Sequence, residues 1–465
     1  MKVLFVYLDF NVKGGALSYH FGIGSLAAVL KKAGHETSLQ YLYGSYDIKP
    51  LLEKIEQFEP GILAITTVSF QYKYIKKMIA EVKSIHGSKI FTICGGPHVS
   101  LATWELENTE GLDAICIGEG EYALLDVANA LQAGSDITGI PNIWVKKDGQ
   151  VYENPNRPLL EDLDSLPFGD RELFGYQAVV DSDYDRAVFM SGRGCPYSCA
   201  YCCNSGLRKL QPGHYVRFRS VDNIIAEIKE VITNYKVKSI YLNDDVFTID
   251  TQYVREFCEK YKKEIGYPFE INTRVEYLKE EMVGELKDAG CYRIAMGIEH
   301  GDEQFRKKIL NRRMKNEDIQ KAFAFARNAG IKTKSFNIVG FPFETYDIHM
   351  ETVKLNRSIQ PNSLVIYIFE AYPGTPLYDM SIQNNFLAKE EDEREFISRT
   401  DTRLTMPQFT RRQILNCYRN FAWRVYWKKS IKKALLHKVY YSKYGEFLIR
   451  ILAPLKKRVQ KIAMN

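Results

Sequence analysis

No stretch of this 465-residue sequence approaches the roughly 20 consecutive apolar residues that cross a bilayer, so no membrane-spanning helix is expected. Low-complexity tracts and short-period repeats are missing too, which argues against disordered and solenoid architectures. The N-terminal run MKVLFVYLDF is broken by Asp9 and lacks a small-residue cleavage site, so it reads as a first strand and not a signal peptide. These absences lead to an expectation of a cytoplasmic protein with reduced thiols, in which nine cysteines are not a disulfide framework. Neither a second C-x2-C pair nor an H-x3-H accompanies the single cysteine cluster, so the usual four-ligand pattern of structural zinc is lacking.

What is present is a globular composition, 45% hydrophobic and 26% charged, with length enough for two or three domains. The net charge of +6 is unevenly spread. Residues 421–465 hold twelve Lys or Arg against the single acid Glu446, which leaves a mildly acidic body and a basic tail.

Short β-branched runs at 3–8, 37–43, 62–67, 90–94 and 114–117 alternate with helical periods, which predicts a doubly wound parallel sheet over residues 1–150. Ligands of such a sheet sit at the carboxyl ends of its strands, here TTVSFQY, CGGPHVS and IGEGE. Residues 151–183, with the polar, proline-bearing ENPNRPLLEDLDSLPFGD, read as a linker. A second alternation over 184–380 has one strand ending at the cysteines and others at 239–242, 269–273, 293–298, 334–339 and 364–369. Five amphipathic helices between them suit a partial α/β barrel, with its chemistry at the C-terminal strand ends. Residues 381–465 read as a helical, basic extension.

The segment GRGCPYSCAYCCNSG (192–206) carries Cys195, Cys199 and Cys202 at C-x3-C-x2-C spacing directly after a strand. Three thiolates are expected to converge there above the barrel. Held by three cysteines, a four-iron cubane keeps one iron open to a ligand. Adjacent residues seldom reach one cluster in good geometry, so Cys203 reads as a packed thiol, and Cys94, Cys116, Cys258, Cys291 and Cys417 as buried free cysteines.

With Tyr201 just before the last cysteine, on the first loop of a six-stranded barrel, this segment resembles the radical S-adenosylmethionine superfamily. The preceding sheet with CGGPHVS and IGEGE is similar to the cobalamin-binding domain of its B12-dependent subgroup. The resemblance covers roughly residues 1–380. It implies a Rossmann-like cobalamin-binding domain followed by a partial (β/α)6 radical barrel, with a [4Fe-4S] cluster on Cys195, Cys199 and Cys202. It further implies an S-adenosylmethionine site around Tyr201, Asn243, Asp244, Asp245, Asn272, Arg274, Glu299, Val339 and Gly340. Cobalamin contacts would come from Thr66, Thr67, Ser69, Gly95, Gly96 and Gly118. The G-G-E triplet of many members is missing, which leaves individual methionyl ligands open. No D-x-H-x-x-G surrounds His20, His35 or His98, so histidine ligation of cobalt has no support in the sequence. Gly22, Gly24 and Ala27 satisfy G-x-G-x-x-A, but the tight strand-turn-helix context of a dinucleotide fingerprint is lacking. Asp244 and Asp245 have a second reading, as caps of the helix starting near Asp250.

The activity implied is C-methylation of an unactivated carbon through a 5′-deoxyadenosyl radical. Cyclisation, rearrangement or oxidation with the same cofactors is an alternative, and a non-catalytic cobalamin or iron-sulfur sensor is one of another class. An electron donor such as flavodoxin or ferredoxin and a small-molecule or lipid-like substrate are the expected partners. The tail mixes Trp423, Tyr426, Trp427, Tyr440, Tyr441, Tyr444 and Phe447 with lysines and arginines, as interfacial helices on anionic membranes do. A solvated appendage capping the barrel is the structural alternative. Nucleic acid is not expected, since no recognised binding module accompanies the charge.

Overall fold

In the computed structural model, which describes residues 1–10, 16–387 and 399–441, two largely parallel sheets lie in one chain. The first contains β1 (Lys2–Asp9), β2 (Glu36–Tyr43), β3 (Ile62–Thr66), β4 (Phe91–Gly95), β5 (Ala114–Cys116), β6 (Ile143–Lys147) and β7 (Gln150–Tyr152), ordered β2-β1-β3-β4-β5-β6-β7. Strands such as ILAIT and FTICG are mostly apolar because helices cover both faces. Val3, Phe5 and Ala64 pack under the helices Phe21–Lys32 and Glu121–Ala133. Leu4, Val6 and Leu63 face the helices Lys49–Phe58 and Tyr72–His86.

One detail departs from the expected all-parallel sheet: β6 and β7 are antiparallel. They form a hairpin whose turn residues Asp148 and Gly149 both have positive φ, 52° and 77°, as the tight two-residue turn between twisted strands requires.

The second sheet contains β8 (Arg186–Phe189), β11 (Ser239–Leu242), β12 (Phe269–Thr273), β13 (Cys291–Glu299), β14 (Lys332–Val339) and β15 (Ser363–Ile368). All six are parallel, ordered β15-β14-β13-β12-β11-β8, the expected open barrel. A short antiparallel pair, β9 (Gly192–Arg193) and β10 (Arg217–Phe218), stands at its mouth and brackets the cysteines.

Residues 151–183 join the sheets through packing as well as through the chain. One apolar cluster runs from Val3 and Phe5 through Tyr19, Phe174 and Tyr176 to Phe189 and Ile240. The helix Arg411–Tyr426, opened by a capping box at Thr410, lays Ile414, Cys417 and Phe421 against the outer faces of β14 and β15. The helix Ile431–Tyr440 packs on it. Of the aromatic tail residues, Tyr444 and Phe447 lie outside the described residues. Among the described residues no helix is long and apolar enough to cross a membrane.

Candidate active site

The cysteine loop is stitched to the barrel rim by backbone. Ala200 donates its N–H to Leu310 O at 3.0 Å, and Leu377 donates to Ala200 O at 3.0 Å. Cys199 is buried, while Cys195 and Cys202 are half-buried. Arg274 Nη1 and Arg312 Nη1 approach Cys199 Sγ at 3.4 and 3.6 Å. Arg274 also lies 3.5 Å from the centre of the Tyr197 ring and pairs with Glu276. Arg312 reaches Tyr201 Oη at 3.2 Å and Gly297 O at 2.5 Å. Two guanidiniums on one sulfur complement the negative charge of a metal-bound thiolate. Burial pushes the Cys195 thiol up to about 11, and a hydrogen bond with Cys203 together with burial raises Cys202 further. Ligation must therefore displace protons from both.

Among the described residues no three His, Cys, Asp or Glu side chains surround a single-ion position. A cluster that takes one thiolate on each of three irons asks instead for sulfurs spaced around it.

The strand ends hold the remaining expected residues. Asp250, not Asp244 or Asp245, caps the helix Thr251–Glu264 by accepting from Tyr253 N–H, which removes the capping alternative. Asp244 Oδ1 accepts from Ser191 N, Ser191 Oγ and Gly192 N at 2.9, 3.0 and 2.7 Å and so fixes the chain entering the cysteine loop. Its Oδ2 has no hydrogen-bond partner among the described residues, and burial pushes its carboxyl up to about 7. Asp245 accepts from Asn204 Nδ2 at 3.0 Å, and Asn272 Nδ2 reaches Asn243 Oδ1 at 3.2 Å.

Glu299 ends β13 with φ 66°, a conformation rare outside glycine, beside a bulge in the β13–β14 pairing. Burial raises its carboxyl, opposed by Arg312 and by a hydrogen bond with Tyr201. A Cβ at Gly297 would meet Glu299 Oε1, so the carboxylate takes up space that glycine leaves two residues earlier.

Several expected contact residues are engaged within the protein itself. Arg274, expected at the S-adenosylmethionine ligand, is buried and serves the cysteine loop. Val339 is fully buried in the core, next to Gly340 at the end of β14. Thr67, expected at cobalamin, is fully buried and donates its hydroxyl to Gly95 O at 2.8 Å. Ser69 Oγ pairs with His98 Nδ1 at 3.1 Å and lies off the cavity described next.

A cavity of about 400 Å³ lies between the two sheets. Its floor is apolar, made of Phe5, Ala64, Ile93 and Leu124, and the expected residues Thr66, Gly95, Gly96 and Gly118 line it. Across from them stand Leu166 and Phe168 of the 151–183 segment and Met190, Gly192 and Arg193 of the approach to the cysteines. Gly96 has φ 99° and a Cβ there would sit 2.8 Å from Thr67 O, so this rim accepts only glycine. Arg193 pairs with Glu119 at 3.0 Å and Glu121 at 2.6 Å, and Arg217 pairs with Glu119 at 2.8 Å, which ties the barrel mouth to the IGEGE turn.

Three residues were missed at the sequence level. His20 lines the cavity; its Nδ1 accepts from Ile23 N–H, and burial lowers its pKa to about 4, so it stays neutral. Arg312 is the second cation on Cys199. Glu344 Oε2 accepts from Gly340 N and Phe341 N at 2.6 and 3.0 Å, while Oε1 faces His300 Nε2 and His349 Nδ1 at 3.3 Å each, all three side chains fully buried. Burial alone would raise Glu344, but the two histidines outweigh it and hold the carboxyl down at about 2. At His349 burial prevails over the carboxylate and lowers its pKa.

Residues 189–355 match the radical SAM superfamily and residues 10–128 match the B12 binding domain. An uncharacterized methyltransferase of Pyrococcus horikoshii is 27% identical over 369 residues, 79% of this chain and 79% of the relative. The anaerobic magnesium-protoporphyrin IX monomethyl ester cyclase of Rubrivivax gelatinosus is 25% identical over 395 residues, 81% of this chain and 69% of the relative. In fold the chain is similar to the cobalamin-dependent S-adenosylmethionine radical enzyme OxsB, with a TM-score of 0.72 at 16% identity over 97% of this chain and 72% of that one.

Proposed function

Because this chain is a radical S-adenosylmethionine superfamily protein with a B12-binding domain ahead of its barrel, we propose that it is a cobalamin-dependent radical methyltransferase acting on an unactivated carbon. Such a carbon has no lone pair to attack a sulfonium, so polar methyl transfer fails. When bound, the cofactors supply reductive cleavage of S-adenosylmethionine and a transferable methyl group. Cys195, Cys199 and Cys202 would hold a [4Fe-4S] cluster, with the charge of Arg274 and Arg312 on the buried thiol. Glu299, Asn243 and Asn272, at three successive barrel strand ends, would bind the polar groups of S-adenosylmethionine. The apolar cavity suits the flat nucleotide tail of cobalamin. At about 400 Å³ it is smaller than the whole corrinoid, so it would hold only part of that group, with Thr66, Gly95, Gly96 and Gly118 beside it.

The chain's own residues order this arrangement. Asp244 fixes Ser191 and Gly192, Glu344 fixes the turn at Gly340 and Phe341, and Arg312 draws Tyr201 toward Glu299. One observation carries the reading: Met190, Gly192 and Arg193, which lead into Cys195, are a wall of the cavity that Gly95, Gly96 and Gly118 line. A thiol site and a slot for a second cofactor thus share a wall, as chemistry passing between two cofactors requires.

The test is product analysis under anoxic, reducing conditions, with reconstituted, cobalamin-loaded protein and cell extract as the source of substrate. Methyl transfer yields S-adenosylhomocysteine together with 5′-deoxyadenosine. The 25% identical cyclase favours a second reading, radical cyclisation, which yields 5′-deoxyadenosine without matching S-adenosylhomocysteine. Neither product would sink both readings.

A further inference from the structure

The helix Ile431–Tyr440 carries its apolar side chains on the wrong side for a surface helix. It packs inward through Ala434, and Tyr441 just beyond it is also buried. Turned to solvent are Ile431, Leu435 and Leu436 at 62, 51 and 66% exposure, with Trp427 of the adjoining turn at 43%. A helix on a water-facing surface shows the reverse pattern. Single exposed apolar residues need no explanation, but four within ten positions make a patch that does.

The charge around the patch has one sign. Lys428, Lys429, Lys432, Lys433 and Lys438 surround it, and no Asp or Glu occurs between Asp401 and Glu446. Lys433 Nζ donates to Asn362 O at 2.9 Å and Lys438 lies over the Trp423 ring. Lys428, Lys429 and Lys432 form no ion pair among the described residues.

We propose that this face docks on an anionic lipid surface. Trp427, Ile431, Leu435 and Leu436 would enter the headgroup boundary while the lysines meet lipid phosphates. A protein partner fits less well, because the buried centres of protein interfaces are depleted in lysine. Nucleic acid would use the lysines and leave the leucines in water. Docking needs no turnover, so the inference stands or falls apart from the proposed activity.

The test is vesicle flotation of the full chain, with phosphatidylcholine alone or mixed with phosphatidylglycerol. The protein should float with the mixed vesicles only, and less so in high salt. The triple replacement Ile431→Gln, Leu435→Gln, Leu436→Gln keeps helix propensity and should weaken flotation by on the order of 100-fold. Lys428→Gln, Lys429→Gln, Lys432→Gln should weaken it by a similar factor, about five-fold for each lysine. All six positions are exposed, so an unchanged melting temperature is the control for folding. No flotation with either vesicle, or flotation that neither triple variant alters, overturns the proposal. So does a dimer that the apolar triple dissociates, which would make a second copy the occupant. Residues 442–465 becoming trypsin-sensitive in that variant, with no flotation of the parent, would make the chain's own tail the occupant. RNA binding that needs the lysines but not the leucines would overturn it as well.

Discussion

The two sheets share parallel α/β architecture yet bury different things around their ligand ends. Beneath the rim of the first sheet the cavity is floored by Phe5, Ala64, Ile93 and Leu124, and the charges at its edge, Glu119 and Glu121, are neutralised by arginines of the barrel. The second sheet buries charge itself. Two histidines meet on Glu344 and two guanidiniums on Cys199. One region is built to hold a ligand by shape and the other by charge. A site made by shape tolerates losing a polar contact but not filling of its slot. A site made by charge fails when one partner of a buried pair is removed.

That contrast predicts different failures. Replacing Cys195, Cys199 or Cys202 by Ala should abolish 5′-deoxyadenosine formation and strip bound iron, while cobalamin binding, read by absorbance, persists. Lost cobalamin binding would break the division between the regions. Glu344→Gln should cost about 3–5 kcal/mol in urea unfolding, since it leaves buried partners uncompensated. The pH dependence sharpens this. A carboxyl held at about 2, against an ordinary 4.5, contributes fully above pH 4.5, and that contribution disappears as pH falls toward 2. The gap between Glu344→Gln and the parent should close over the same window.

Ala64→Phe should fill the slot and weaken cobalamin binding by roughly 30-fold, about 2 kcal/mol, with iron content unchanged. Unaltered binding in titration would remove the cavity from the cofactor site. The smallest effect is expected at Asp244, whose folded carboxyl titrates near 7 against an ordinary 3.8. Its ionisation costs stability as pH rises through that interval, and the cost is complete above pH 7. Asp244→Asn keeps the acceptor for Ser191 and Gly192 but cannot ionise. It should unfold about 1–2 kcal/mol later than the parent at pH 8 and show no such gain at pH 4.

The six barrel strands and the first five strands were legible because short runs rich in β-branched and apolar residues alternate with helices of amphipathic period. The hairpin β6–β7 was passed over although Asp148-Gly149 between two β-rich runs is a hairpin signal. The cysteines stood out through spacing alone. Arg312 could not, since it meets Cys199 across 113 residues and belongs to a loop with no periodic pattern. Glu344 lay in plain view in NIVGFPFET, but a lone acid after a strand does not announce that its oxygens will take two backbone amides. The resemblance implies cobalamin contacts at Thr67 and Ser69, which follow β3 in TTVSFQY. Strand ends place residues near a ligand, but which side chains turn to it depends on competing acceptors, here Gly95 O and His98.

Leu163, Leu166, Pro167 and Phe168 belong to neither sheet, yet they close one side of the cavity. The strap between the folds is therefore part of the cavity wall. Exchanging the first sheet for that of another protein while keeping this strap, or the reverse, would pair a chamber with a foreign door. Recombination within such chains should succeed only when the N-terminal fold travels together with residues 163–168.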